Sequence, residues 1–225
     1  MKKTVYSLVL SEDVIAEIDR LAYRKGTNRS NMINQILAEY VSYTTPEKRM
    51  QDTFRRLEAL LDGRDSFRVQ LGASDSMLSL RSALDYKYNP TLRYSVELYR
   101  TVGGDGAIGE LRVALRTQSS SLMLYLMQFY KLWNRVEESI FAGPVHCRVE
   151  DGGKYVRQLS LHTLTQGGHP VEPGSETLGE LIAAYIRTFD AALKAYFYHL
   201  DNPARAVAEV EGIYRAYLNQ STVVL

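Results

Sequence analysis

Thr4-Val5-Tyr6-Ser7-Leu8-Val9-Leu10-Ser11-Glu12-Asp13 begins as a short alternating segment and runs directly into the start of a helix. By the two-residue period of a strand, Tyr6, Leu8 and Leu10 share one face, and Val5, Ser7 and Val9 share the other. Ser11 stands where a hydroxyl accepts a freed amide, and Glu12 and Asp13 complement the positive helix end. Val14, Ile15, Ile18, Leu21 and Ala22 then recur at helical spacing, until Lys25-Gly26 stops the helix. Ser30 reads as a second N-cap, and Met32, Ile33, Ile36, Leu37 and Tyr40 form the stripe of a second helix. One strand and two short helices bury too little to stand alone. The spacing therefore predicts a dimer, in which two strands pair antiparallel and four helices interlock beneath them.

Residues 3–42 resemble the ribbon-helix-helix family of DNA-binding proteins, of the CopG, Arc and MetJ kind. Leu8-Val9-Leu10-Ser11-Glu12 at the strand–helix junction carries the resemblance, with Gly26-Thr27-Asn28-Arg29-Ser30 before the second helix. The resemblance implies a β-ribbon in the major groove of double-stranded DNA and a helix start seated on a phosphate. Carried over, the base-contacting residues are Val5, Ser7 and Val9 with Lys3 beside them, and the phosphate anchor is Arg29, Ser30 and Asn31. The chain departs from the family in its readers. Base edges present donors and acceptors, whereas Val5 and Val9 offer only contact to a thymine methyl and Ser7 a single hydroxyl. Either recognition leans to A·T sequence, or the ribbon is a dimerisation device docked on protein.

The remaining three quarters of the chain resemble no family. Thr45-Pro46-Glu47 predicts a helix over 45–64, a connector between domains or a lid lying on one of them, with Thr45 as its cap and Phe54, Leu57, Leu60 and Leu61 as its stripe. From Phe67 to about Arg116 the period becomes two. Three strands are read there, with Leu78, Leu80, Leu84 and Tyr86 on the first, Leu92, Tyr94, Val96 and Leu98 on the second, and Leu111, Val113 and Leu115 on the third. Ser119 to Phe141 predicts an apolar helix across the sheet, and Val145 to Leu161 a hairpin turning at Asp151-Gly152-Gly153. Residues 164–175 read as a loop. A long helix to Leu200 is led by the capping-box spacing Thr177-Leu178-Gly179-Glu180, and a last helix starts at Asn202-Pro203. The fold class is α+β: a ribbon-helix-helix module (1–44), a connector (45–64) and an antiparallel sheet covered by helices (65–225) that oligomerises further or binds a small-molecule or protein effector.

A net charge of +1 and one cysteine, Cys147, fit a cytoplasmic protein without a disulfide framework. Up to Asp62 the chain carries ten Lys/Arg against nine Asp/Glu, so DNA binding needs its cations gathered on one face. No signal peptide or membrane span is read, the apolar run 122–136 being interrupted by Gln128, Lys131, Asn134 and Arg135. His146, Cys147, His162 and His169 are metal-ligand types, but neighbours on a strand point apart, so no metal is assigned. Cys147, alternating with Val145 and Val149, reads as a buried thiol. Arg81, Arg93, Arg112 and Arg116 lie on the polar sheet face with Tyr99 nearby, the ingredients of an anion or single-strand surface, and with Asp85, Glu97 and Glu110 as counter-charges they read as a solvated face. No catalytic, phosphate-loop or dinucleotide motif is present and no cofactor is implied.

Overall fold

The computed structural model describes residues 5–41, 43–63, 67–74, 76–103, 106–141, 145–163, 174–220 and 223–225. The chain divides into two compact units, residues 1–49 and 50–225. In the first, Val5 to Leu10 form neither helix nor strand and lie exposed. The strand read over 4–10 is therefore not formed within one chain: a strand needs a hydrogen-bonding neighbour, and none of the described residues supplies one. Helices α1 (Glu12–Arg24) and α2 (Arg29–Tyr40) follow. Gly26, at φ +61, makes the left-handed turn between them. Ile18, Ala22 and Met32 form the buried cluster of this unit, with Leu21 and Ile33 packed against it.

Two helix caps differ from the sequence expectation. Ser11 occupies the N-cap of α1, but its hydroxyl accepts no amide. The cap of α2 is Asn28, whose side chain accepts from the Asn31 amide at 2.9 Å, so Ser30 lies inside the first turn.

The larger unit takes most of α3 (Pro46–Leu61), then β1 (Arg68–Ser74), β2 (Met77–Ala83), β3 (Thr91–Leu98), β4 (Ala107–Leu115), α4 (Ser120–Glu138), β5 (Cys147–Glu150), β6 (Lys154–Ser160), β7 (His162–Thr163), α5 (Ser175–Tyr198), α6 (Pro203–Leu218) and β8 (Val223–Val224). Six strands form one antiparallel sheet in the order β1-β2-β3-β4-β6-β5, while β7 and β8 pair separately. The meander has four strands where three were read. The added strand is β1, whose apolar alternation covers only Phe67, Val69 and Leu71 before Gly72, and whose register with β2 shifts between Gln70 and Ser74. β2 ends at Ala83, ahead of Tyr86, because the chain turns through Tyr88 and Asn89 at positive φ. The hairpin turns at Gly152 and Gly153, both at φ +74, as the sequence predicts.

Leu78, Leu80, Leu92, Tyr94, Val96, Leu111, Val113, Tyr155 and Leu159 line the covered face of the sheet and share one core with α3, α4, α5 and α6. Of the two readings of the helix at 45–64, the one that lays it on a domain accords with the core, to which Phe54, Leu57 and Leu61 belong. The most deeply buried helix is α5, which starts at Ser175, so the Thr177–Glu180 spacing lies within its first turns. The Phe189 ring meets Tyr94 of β3, Phe129 and Trp133 of α4, and Tyr155 of β6. A Cβ on Gly179 would stand 2.9 Å from the Thr53 carbonyl, so the missing side chain lets α5 approach α3. Asn202 caps α6 by accepting from the Arg205 amide, and Thr45 accepts from Lys48.

Among the described residues, charge enters this core at two places. Arg157 of β6 and Glu137 of α4 are 1% and 0% exposed, with Nε 3.0 Å from a carboxylate oxygen. Tyr185 of α5 donates to Glu137 at 2.9 Å, and Trp133 Nε1 donates to the Tyr185 oxygen at 3.0 Å. The Arg157 guanidinium lies 4.6 Å above the Tyr185 ring. Burial raises the Glu137 carboxyl above its usual range, against the opposing pull of Arg157. A second polar tie joins α5 to the sheet: Tyr94 donates to Asp190, and Lys194 binds both Asp190 and Ser82.

Removing one partner of a buried pair strands the other charge. Arg157→Met is expected to lower stability by about 3–5 kcal/mol, read as the shift in urea midpoint at constant slope. The double variant Arg157→Met/Glu137→Leu is expected to regain more than half of that loss.

Candidate nucleic-acid interface

The residues that the sequence assigns to DNA fall at two places in the first unit. Val5, Ser7 and Val9 lie on the segment before α1 and are exposed, Val5 at 95%. Lys3 lies outside the described residues. Arg29, Ser30 and Asn31 form the first turn of α2, and all three are exposed. The structure brings this second trio together at a helix N-terminus, where amides and the helix dipole favour an anion.

One of those amides is already taken, since Asn31 donates to Asn28. The Arg29 guanidinium is held as well. Its Nε lies 2.7 Å from Asp19 Oδ1 and its Nη2 2.5 Å from Oδ2, a two-point pairing between α2 and α1. The hydrogen bond from Arg29 holds the Asp19 carboxyl below its usual range. A phosphate reaching this helix end therefore meets free amides at Arg29 and Ser30 and a guanidinium that it shares with a carboxylate. Sequence spacing did not reveal Asn28 or Asp19 as parts of this corner. Asn28 has the cap chemistry of Ser30, two residues away, and nothing local ranks them.

Several apolar side chains of this unit are exposed as well. Leu8 is 59% exposed and Leu37 51%, and Leu10, Val14, Ile36 and Tyr40 are exposed with them. These are the stripe residues that the sequence reading buries between two copies.

The metal-ligand types in the larger unit do not gather. The His162 ring stacks on Phe141 at 4.3 Å, and burial lowers its pKa. Among the described residues no group of three His, Cys, Asp or Glu is placed to hold a metal ion, and His169 lies outside them. Cys147 is only partly buried and Val149 is 45% exposed, because β5 is an edge strand with a neighbour on one side only. Burial raises the Cys147 thiol above its usual pKa. No helix among the described residues is long and apolar enough to cross a membrane. Comparison of the chain with protein families, with curated proteins and with solved structures found no match.

If Asn28 caps α2, Asn28→Ala is expected to cost the first unit about 1 kcal/mol in a denaturation titration. Ser30→Ala is expected to stay within about 0.5 kcal/mol of the parent. Reversed magnitudes would return the cap to Ser30.

Proposed function

We propose that the protein is a dimeric DNA-binding protein, a transcriptional regulator of the ribbon-helix-helix kind. In this reading, Val5 to Leu10 of two copies pair as an antiparallel ribbon. Val5, Ser7 and Val9 enter the major groove with Lys3 beside them, and the Arg29–Asn31 turn rests on phosphate. The observation that carries the reading is the half-core of the first unit. Three buried residues hold α1 to α2, while Leu8, Leu10, Val14, Ile36, Leu37 and Tyr40 stay in water. Exposed apolar patches mark interaction sites, and these side chains are the ones a paired module would bury. They belong to an unpaired segment and two helices, so a second copy is the partner that covers all of them together.

Two features moderate the affinity and specificity. The apolar readers favour thymine methyl contacts over hydrogen-bonded bases, so discrimination leans to A·T sequence. The Asp19 carboxylate competes with phosphate for Arg29. The same features favour a second reading, in which the module only dimerises and its ribbon docks on protein.

Fluorescence anisotropy with a mixed-sequence duplex, at about 50 mM and 200 mM salt, separates the readings. DNA binding predicts affinity at low salt that falls steeply as salt rises. Lys3→Ala/Arg29→Ala is expected to weaken it about tenfold or more while sedimentation still shows a dimer. A dimer that binds no duplex at low salt supports the assembly reading.

A further inference from the structure

The uncovered face of the large sheet carries two kinds of charge arrangement. Toward β5, Arg112 lies 2.6 Å from Glu97 and 2.8 Å from Glu110, and Arg148 lies 3.1 Å from Glu110 and 3.0 Å from Glu150. Lys154 closes on Glu150 at 2.6 Å. Three cations there meet three carboxylates and the region is neutral. Toward β1 the pattern changes. Arg68 is the direct cross-strand partner of Arg81, and Arg81 is the direct partner of Arg93. Arg116, the next outward residue after Ala114, stands diagonal to Arg93. All four are exposed, and none forms an ion pair among the described residues. Asp62 and Asp85, acids of the adjoining turns, pair with no cation there either; the Asp62 carboxylate accepts the Val69 amide.

Like charges directly opposite on neighbouring strands destabilise a sheet. The sheet pairs its acids in one half and gathers unpaired arginines in the other, an arrangement that folding by itself does not reward. Strand spacing places the three-arginine row over about 10 Å. Duplex DNA carries one charge per about 1.7 Å of its axis, so that row faces several phosphates at once. The planar guanidinium fork matches the phosphate oxygens in pairs.

We infer that Arg68, Arg81, Arg93 and Arg116 form a second phosphate-binding surface of this protein, on the open face of its sheet, that takes the backbone of duplex DNA. The choice of DNA over another polyanion rests on the function proposed for the N-terminal unit. The contact is independent of base sequence, because the arginines on a flat sheet meet phosphates and not groove edges. It supplies the basic surface that the near-neutral N-terminal residues lack.

The test uses the full chain and a labelled mixed-sequence duplex, with affinity followed from about 50 to 200 mM salt. Each phosphate contact adds about 0.9 to the slope of log affinity against log salt. Arg81→Gln/Arg93→Gln is expected to flatten the slope by about 2 and to weaken low-salt binding about tenfold. Arg205→Gln/Arg215→Gln, the same charge change on the exposed face of α6, is expected to leave both unchanged. Without DNA the sheet variant is expected to melt no lower than the parent, since it removes like-charge repulsion. A parent slope and affinity in the sheet variant overturn the inference and leave the DNA-binding reading standing. A sheet variant that melts lower assigns these arginines to the fold and also overturns it. A parent protein that binds no duplex overturns both.

Discussion

Apolar surface left in water costs roughly 25 cal/mol per Å2, and the two units of this chain meet that constraint in different ways. Residues 50–225 meet it internally: one face of a six-stranded sheet is covered by helices, and the shared core runs from Met50 to Leu225. The described residues of the first unit do not, since α1 and α2 enclose a cluster of three residues and leave Val14, Ile36, Leu37, Tyr40 and the segment from Val5 to Leu10 exposed. The proposal of a paired module follows from that imbalance. Apart from Arg157, the same sorting of faces in the larger unit sends charged strand residues to the open side, where they pair off in one half and, among the described residues, remain unpaired arginines in the other.

Within the larger core, the Glu137–Arg157 pair gives the packing its uniqueness more than its strength. A buried ion pair returns little net stability over an apolar replacement, but a misplaced one is costly. Here the pair is reached from three elements at once, Glu137 and Trp133 on α4, Arg157 on β6 and Tyr185 on α5. A slip of one residue in β6 would turn Arg157 to the open face and bring Val156 or Gln158 under the helices. The tie therefore holds the register of the edge hairpin, and with it the row of outward residues that continues across the sheet.

Local signals were legible in the sequence, and long-range ones were not. Thr45-Pro46 and Asn202-Pro203 announce helix starts because a cap and the first turn are adjacent in the chain, and Gly152-Gly153 announces a hairpin for the same reason. β1 escaped because its alternation covers only Phe67, Val69 and Leu71 before Gly72, and the choice between Asn28 and Ser30 escaped because both have cap chemistry. Arg157 sat in plain view between Tyr155 and Leu159, a charge at a core-facing strand position, yet its partner is 20 residues away on another element. The arginine row needed the cross-strand register, which no single stretch of sequence carries. Val5 to Leu10 show the limit most clearly: the alternation is there, but a strand exists only where a neighbour does.

Hydrogen–deuterium exchange of the amides from Val5 to Leu10 in the full chain, without DNA, tests the central claim most directly. The account predicts slow exchange at these amides where the protein is dimeric, and faster exchange on dilution as copies separate. Exchange at the rate of an unstructured peptide at every concentration would contradict it, because the segment would then have no partner strand.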